Sequence, residues 1–117
     1  MEEKEPLTVV FFKNENDKQP CREFILSLDR DSKREIGISV FTVQQGFPMG
    51  LPLVRKIEAD LWEIRIKLPA GICRLFFTIC GSTIVLLHGF IKKSQKTPLN
   101  ELNIARTRLH TFKELNK

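Results

Sequence analysis

Between Leu61 and Phe90 three apolar runs follow one another with only Pro69-Ala70-Gly71 and Gly81-Ser82 to separate them. A connector of two or three residues can join antiparallel neighbours only, because a parallel pair needs a crossover of a dozen residues or more. The span therefore has to be a meander of strands at Leu61–Leu68, Ile72–Cys80 and Thr83–Phe90. Ala59-Asp60 adds a fourth strand, Val54–Glu58, in front of them.

The remaining segments fall around this sheet. Leu7–Phe12, rich in β-branched and aromatic residues, reads as a first strand. Pro20 suits a first helical turn, and Cys21, Phe24 and Leu28 continue at helical spacing. Ser32 with Glu35 has the capping-box pattern. Ile36, Val40, Val43 and Phe47 form the apolar stripe of that second helix, and Gly46 is its natural stop. The short break at Asp29–Asp31 predicts a helical hairpin. After the sheet, Thr97 is a plausible N-cap and Pro98 a first helical residue. The helix to Leu115 carries Leu102, Ala105, Leu109 and Phe112 on one stripe. The expected fold class is α+β: an N-terminal helical hairpin packed on a twisted antiparallel β-sheet, with a C-terminal helix.

At 117 residues the length fits one domain, spanning 1–117, with a core that needs no staples. No apolar run approaches the roughly 20 residues of a membrane helix, and the acidic start MEEKEP is unlike a signal peptide. The expectation is a cytoplasmic protein without a membrane partner. Cys21, Cys73 and Cys80 show no CxxC spacing and read as buried or half-buried thiols, with no metal site and no cofactor expected. Charge is uneven: residues 1–31 hold five Lys/Arg and eight Asp/Glu, whereas residues 92–117 hold seven and two. A basic C-terminal half suits an anionic partner, or is simply a solvated surface.

Period-two alternation sorts the charges on the strands. Trp62, Ile64 and Ile66 share one face, which places Trp62 in the core; Glu63, Arg65 and Lys67 share the other. On the next strand Leu75, Phe77 and Ile79 lie opposite Arg74 and Phe76. Arg65 and Arg74 are equally far from the turn, so they form a cross-strand pair projecting from an open face. Two facing guanidiniums repel, and a phosphate would relieve them through charge-assisted hydrogen bonds. Alternatively, each pairs with Glu58 or Glu63. Lys92, Lys93 and Lys96 after the last strand are either a solvated loop or a further nucleic-acid contact. His88 is either a general acid or base or a packed, hydrogen-bonded strand residue.

The runs "LWEIRI", "ICRLFF", "VLLHGFIKKSQKTP" and "ELNIARTRL" resemble the phage-related, HigB-like branch of the RelE/ParE toxin superfamily, from about Leu7 to Leu109. The resemblance implies the toxin of a type II toxin–antitoxin pair, a metal-independent endoribonuclease that cuts mRNA on the ribosome. It implies catalytic roles for Arg65, Arg74, Lys93 and Lys96, and RNA contacts for Lys92, Lys67, His88 and Phe90. The implied partner is a HigA-like helix-turn-helix antitoxin, with promoter DNA bound only through the pair. The chain has no tyrosine. Where some relatives stack a tyrosine on the base near the cut, Phe90, Phe76 or His88 would have to serve, or the ribosome must hold the RNA. The rival readings are a ParE-like gyrase inhibitor that acts by binding, and a degenerate toxin kept as a regulatory module.

Overall fold

The computed structural model describes residues 5–92 and 98–117. The elements run β1 (Thr8–Phe11), α1 (Pro20–Leu26), α2 (Arg30–Gly46), β2 (Val54–Glu58), β3 (Leu61–Leu68), β4 (Gly71–Cys80), β5 (Thr83–Lys92) and α3 (Leu99–Leu115). The five strands form one sheet in the order β1-β5-β4-β3-β2. From β2 to β5 the pairing is the expected antiparallel meander. β1 departs from it: it lies parallel to β5, with Thr8 opposite Thr83 and Phe11 opposite Leu86. The sheet is therefore mixed rather than wholly antiparallel. The long excursion through α1 and α2 between β1 and the meander supplies the crossover that a parallel pairing requires.

The helix starts follow local chemistry. Pro20 opens α1, as its ring and missing N–H allow. α2 starts earlier than the Ser32–Glu35 pattern predicts: Asp29 is the N-cap, and its carboxylate accepts from the Ser32 backbone N–H at 3.3 Å. Hydrogen bonding to Ser32, first through its side chain and then through this backbone N–H, holds the Asp29 carboxyl below the usual carboxylate range. Gly46 ends α2 as expected. Pro98 is the N-cap of α3 rather than its first residue, and Thr97 lies outside the described residues.

The sheet separates two apolar layers. α1 and α2 cover one face, where Cys21, Ile36, Val40 and Val43 meet Ile64, Ile66, Leu75, Phe77 and Leu86. Trp62 joins this layer, edge-on to Phe47 and stacked on Phe77. The close seating of α1 on β5 depends on Gly89, where a Cβ would stand 2.7 Å from Leu75 Cδ2 and 2.8 Å from Phe24 Cδ2. The opposite face is not open along its length. α3 packs there, and Ala105 and Leu109 close over Leu61, Phe76, Val85 and Leu87. Phe76 is fully buried, which removes it from the rings that could stack on a base.

Candidate functional site

The pairing of β3 with β4 brings Arg65 directly opposite Arg74, the cross-strand pair that the turn spacing predicts. Glu63, two residues before Arg65 and on the same face, is fully buried. Its Oε1 accepts from Arg74 Nη1 at 3.0 Å. The same oxygen lies 3.6 Å from Arg55 Nη2 and 3.9 Å from Arg65 Nε. Arg55 is opposite Glu63 in the β2–β3 register, so the strand pairing itself delivers it to the cluster. Among the described residues, one buried carboxylate thus gathers three guanidiniums from three adjacent strands.

The arginines differ in access. The Arg74 side chain is fully buried, Arg65 is 25% exposed and Arg55 is 41% exposed. Arg74 therefore does not project from an open face as its alternation suggests. It lies beneath the others, tied to Glu63. Of the two acidic neighbours foreseen, Glu63 is the partner; Glu58 is instead clasped by Arg106 of α3, whose guanidinium donates to both carboxylate oxygens at 2.7–3.1 Å. Arg55 and the burial of Glu63 escaped sequence reasoning, which offered Glu63 only as one of two possible partners. Arg55 sits in a strand with no clear alternation, and Glu63 looks like a solvent-facing residue until its face is covered. The signal for that cover was present: Ile84–Leu87 is a continuous apolar run, the mark of a strand buried on both faces.

A pocket of ≈ 380 Å³ opens beside the cluster, lined by Pro52, Leu53, Arg65, Lys67 and Ile72. The Arg65 backbone N–H donates to Leu53 O at 2.8 Å, which extends the β2 pairing by one residue and sets Pro52-Leu53 against Arg65. Ile72 is opposite Lys67 on one side and Lys92 on the other, so Lys67, Ile72 and Lys92 share the arginine face near the β3–β4 turn. Lys93 and Lys96 lie outside the described residues.

His88 belongs to a different neighbourhood. A register shift at Phe76/Phe77 leaves one extra residue in β5, so Leu87 and His88 both serve the α3 side. Arg108 Nη1 lies 3.0 Å from His88 Nδ1, and Glu101 Oε2 lies 3.0 Å from Nε2. A guanidinium can only donate, so Nδ1 accepts and the ring proton sits on Nε2, facing the carboxylate. Burial is the largest influence on the ring and holds it below the usual histidine range, against the pull of the Glu101 hydrogen bond. The imidazole stacks with Phe76 and Phe90 at centroid separations of 6.3 and 5.9 Å. His88 is thus the packed, hydrogen-bonded strand residue of the two alternatives. Phe90, opposite Arg74, stays partly exposed at the rim.

Cys21 and Cys73 are buried, and burial pushes both thiols up to about 12, so neither is ionised near neutral pH. Cys80 is exposed, unlike the buried or half-buried thiol expected. Among the described residues no helix is long and apolar enough to cross a membrane.

With this geometry in place, the comparison with protein families is decisive: the model of the phage-derived protein Gp49-like family (DUF891) matches residues 23–110. The chain belongs to the Gp49-like family. That family is associated with toxin–antitoxin systems of the RelE/HigB-like kind. A comparison with curated proteins finds no match. The Gp49-like span takes in the whole arginine cluster, its pocket and the His88 clasp, and leaves β1 outside.

Proposed function

We propose that this Gp49-like protein is the toxin of a type II toxin–antitoxin pair, of HigB-like type with a RelE/ParE-like fold, and that it cleaves mRNA on the ribosome without a metal. The observation that carries the reading is the cation centre beside an open pocket. The opposed Arg65 and Arg74 are gathered with Arg55 about one carboxylate, with Lys67 and Lys92 on the same face.

In the proposed reaction the ribose O2′ attacks the adjacent phosphorus, the P–O5′ bond breaks, and a 2′,3′-cyclic phosphate and a 5′-hydroxyl end result. One proton leaves O2′ and one is delivered to O5′. Negative charge grows on the non-bridging oxygens in the transition state, and preorganised donors stabilise it most where water is excluded. Arg65, partly exposed at the pocket edge, is the residue placed to touch those oxygens, with Arg55 beside it. Arg74, fully buried on Glu63, acts as a positioning residue that fixes the carboxylate about which the other two arrange. Lys92, Lys93 and Lys96 supply further charge, and one of them protonates O5′; Lys67 is a further RNA contact. The protein would work in the cytoplasm. A helix-turn-helix antitoxin would neutralise it, and the pair would bind its own promoter.

The test is translation in vitro with this protein added, followed by mapping of mRNA 5′ ends. New ends that require ribosomes and disappear with Arg65→Ala are the expected result. Intact mRNA with undisturbed translation would overturn the reading. The full burial of Arg74 leaves one specific second reading, a toxin of the same family that acts by binding. In that case mRNA stays whole while supercoiling by DNA gyrase is inhibited.

A further inference from the structure

We propose that the pocket formed by Pro52, Leu53, Arg65, Lys67 and Ile72 is a nucleobase subsite that prefers guanine over adenine. The inference rests on the reading of the arginine cluster as a phosphate site, and adds to it a base and a selectivity.

The pocket has two kinds of wall. Pro52, Leu53 and Ile72 give it an aliphatic floor, and among the described residues Arg65 and Lys67 are its charged side chains. At ≈ 380 Å³ it has room for a purine ring with its sugar edge open to solvent. Arg65 belongs at once to this pocket and to the Glu63 cluster. A ligand seated here would therefore have its apolar part against the aliphatic wall and its anionic part at the guanidinium, which is the layout of a nucleotide. Lys67 follows Arg65 by two residues on the same face, about 6.5 Å along the strand. It thus stands beyond the phosphate, where the base edge would lie.

The chemistry of the side chains selects the base. Arg and Lys carry donors and no acceptors. Guanine presents two acceptors, N7 and O6, on its major-groove edge; adenine presents N7 beside an amino donor, which would face the ammonium. Lys67 accordingly rewards guanine and leaves adenine with a repelled N6 amino group. Among the described residues no other polar side chain lines the pocket to offset that repulsion.

The experiment uses the intact protein and three probes: guanosine 3′,5′-bisphosphate, adenosine 3′,5′-bisphosphate and inorganic pyrophosphate. Binding is followed by NMR at the Arg65 side-chain N–H and at the Leu53 and Ile72 methyl groups. The expected outcome is that all three probes move the Arg65 signal, that only the nucleotides move the methyl groups, and that the guanosine compound binds about ten-fold more tightly than the adenosine one. Lys67→Met, at an exposed position that does not threaten the fold, should bring the two nucleotides to equal affinity. Pyrophosphate and nucleotides shifting Arg65 while the methyl groups stay still, or equal affinities in the wild type, would overturn the base subsite and leave the phosphate site standing. No response to any probe would overturn both.

Discussion

Glu63 is the residue on which the centre turns, because three cations converge on one of its oxygens and it has no exposure to water. Removing one member of a buried ion pair leaves the other uncompensated, at a cost of roughly 3–5 kcal/mol. Glu63→Gln keeps the shape and removes the charge, so it should lower unfolding free energy in urea by about 3 kcal/mol. Arg55→Ala, at the most exposed of the three guanidiniums, should cost less than about 1 kcal/mol. A Glu63→Gln protein as stable as the wild type would show that the cluster is held by something other than this carboxylate. The site was half legible at this scale. The Arg65–Arg74 pair follows from counting residues on either side of a turn, which needs no tertiary knowledge. The burial of Arg74 and Glu63 does not follow from that count, because it depends on what covers the face, and the choice of Glu63 over Glu58 as partner depends on the same cover.

Elements show the same division. The meander was readable almost to the residue, since two-residue connectors and period-two patterns are local properties. The parallel docking of β1 on β5 was not, because the pairing joins residues 75 apart in the chain and leaves no local mark. α3 was visible as an apolar stripe, yet the face it would choose was not. It chose the face of Arg74 and Phe76, anchored by Glu101 and Arg108 to His88 and by Arg106 to Glu58. That anchor titrates. Burial holds His88 below its unfolded value, so the unfolded chain binds the proton first as pH falls. The clasp's contribution should be complete above about pH 6.5, decline as pH drops through the window down to the lowered folded value, and then level off. Protonation also turns Nδ1 into a donor facing the Arg108 donor. Thermal melts between pH 7.5 and 5.5 should fall with acid in the wild type and flatten in His88→Gln; equal slopes would remove His88 from the account. The Asp29, Glu58 and Asp60 carboxyls, all lowered by hydrogen bonds, lose their contributions only as pH falls below their ordinary values, in a separate and more acid window. On the other face the seat of α1 can be tested at Gly89. An added methyl meets Leu75 and Phe24 at less than contact distance, so Gly89→Ala should destabilise by about 1–3 kcal/mol in the same urea titration. An unchanged midpoint would mean that α1 lifts away freely.

Across the whole molecule the excess of positive charge is concentrated rather than spread. The first 31 residues are net acidic, and the cations gather on the sheet face of Arg55, Arg65, Lys67 and Lys92 and in the C-terminal segment. Affinity for an RNA single strand should therefore come from few contacts at a defined place. The salt dependence of binding counts them, because each phosphate neutralised adds about −0.7 to the slope of log K against log salt. A surface that attracts RNA only by its total charge loses little slope when any one cation is removed. A built site loses a whole contact's worth. Arg65→Ala should thus reduce the slope by about 0.7, and Arg65→Ala with Lys67→Ala by about 1.4 if both touch phosphate, or by no more than the single variant if Lys67 faces a base. Lys113→Ala is the control for general charge, since Lys113 is occupied with Asp60 of the β2–β3 turn at 2.7 Å, lines none of the pocket and should leave the slope where it was. Equal losses from Arg65→Ala and Lys113→Ala would mean that the protein attracts RNA by net charge alone, and that the gathering of three arginines about Glu63 serves the fold rather than a ligand.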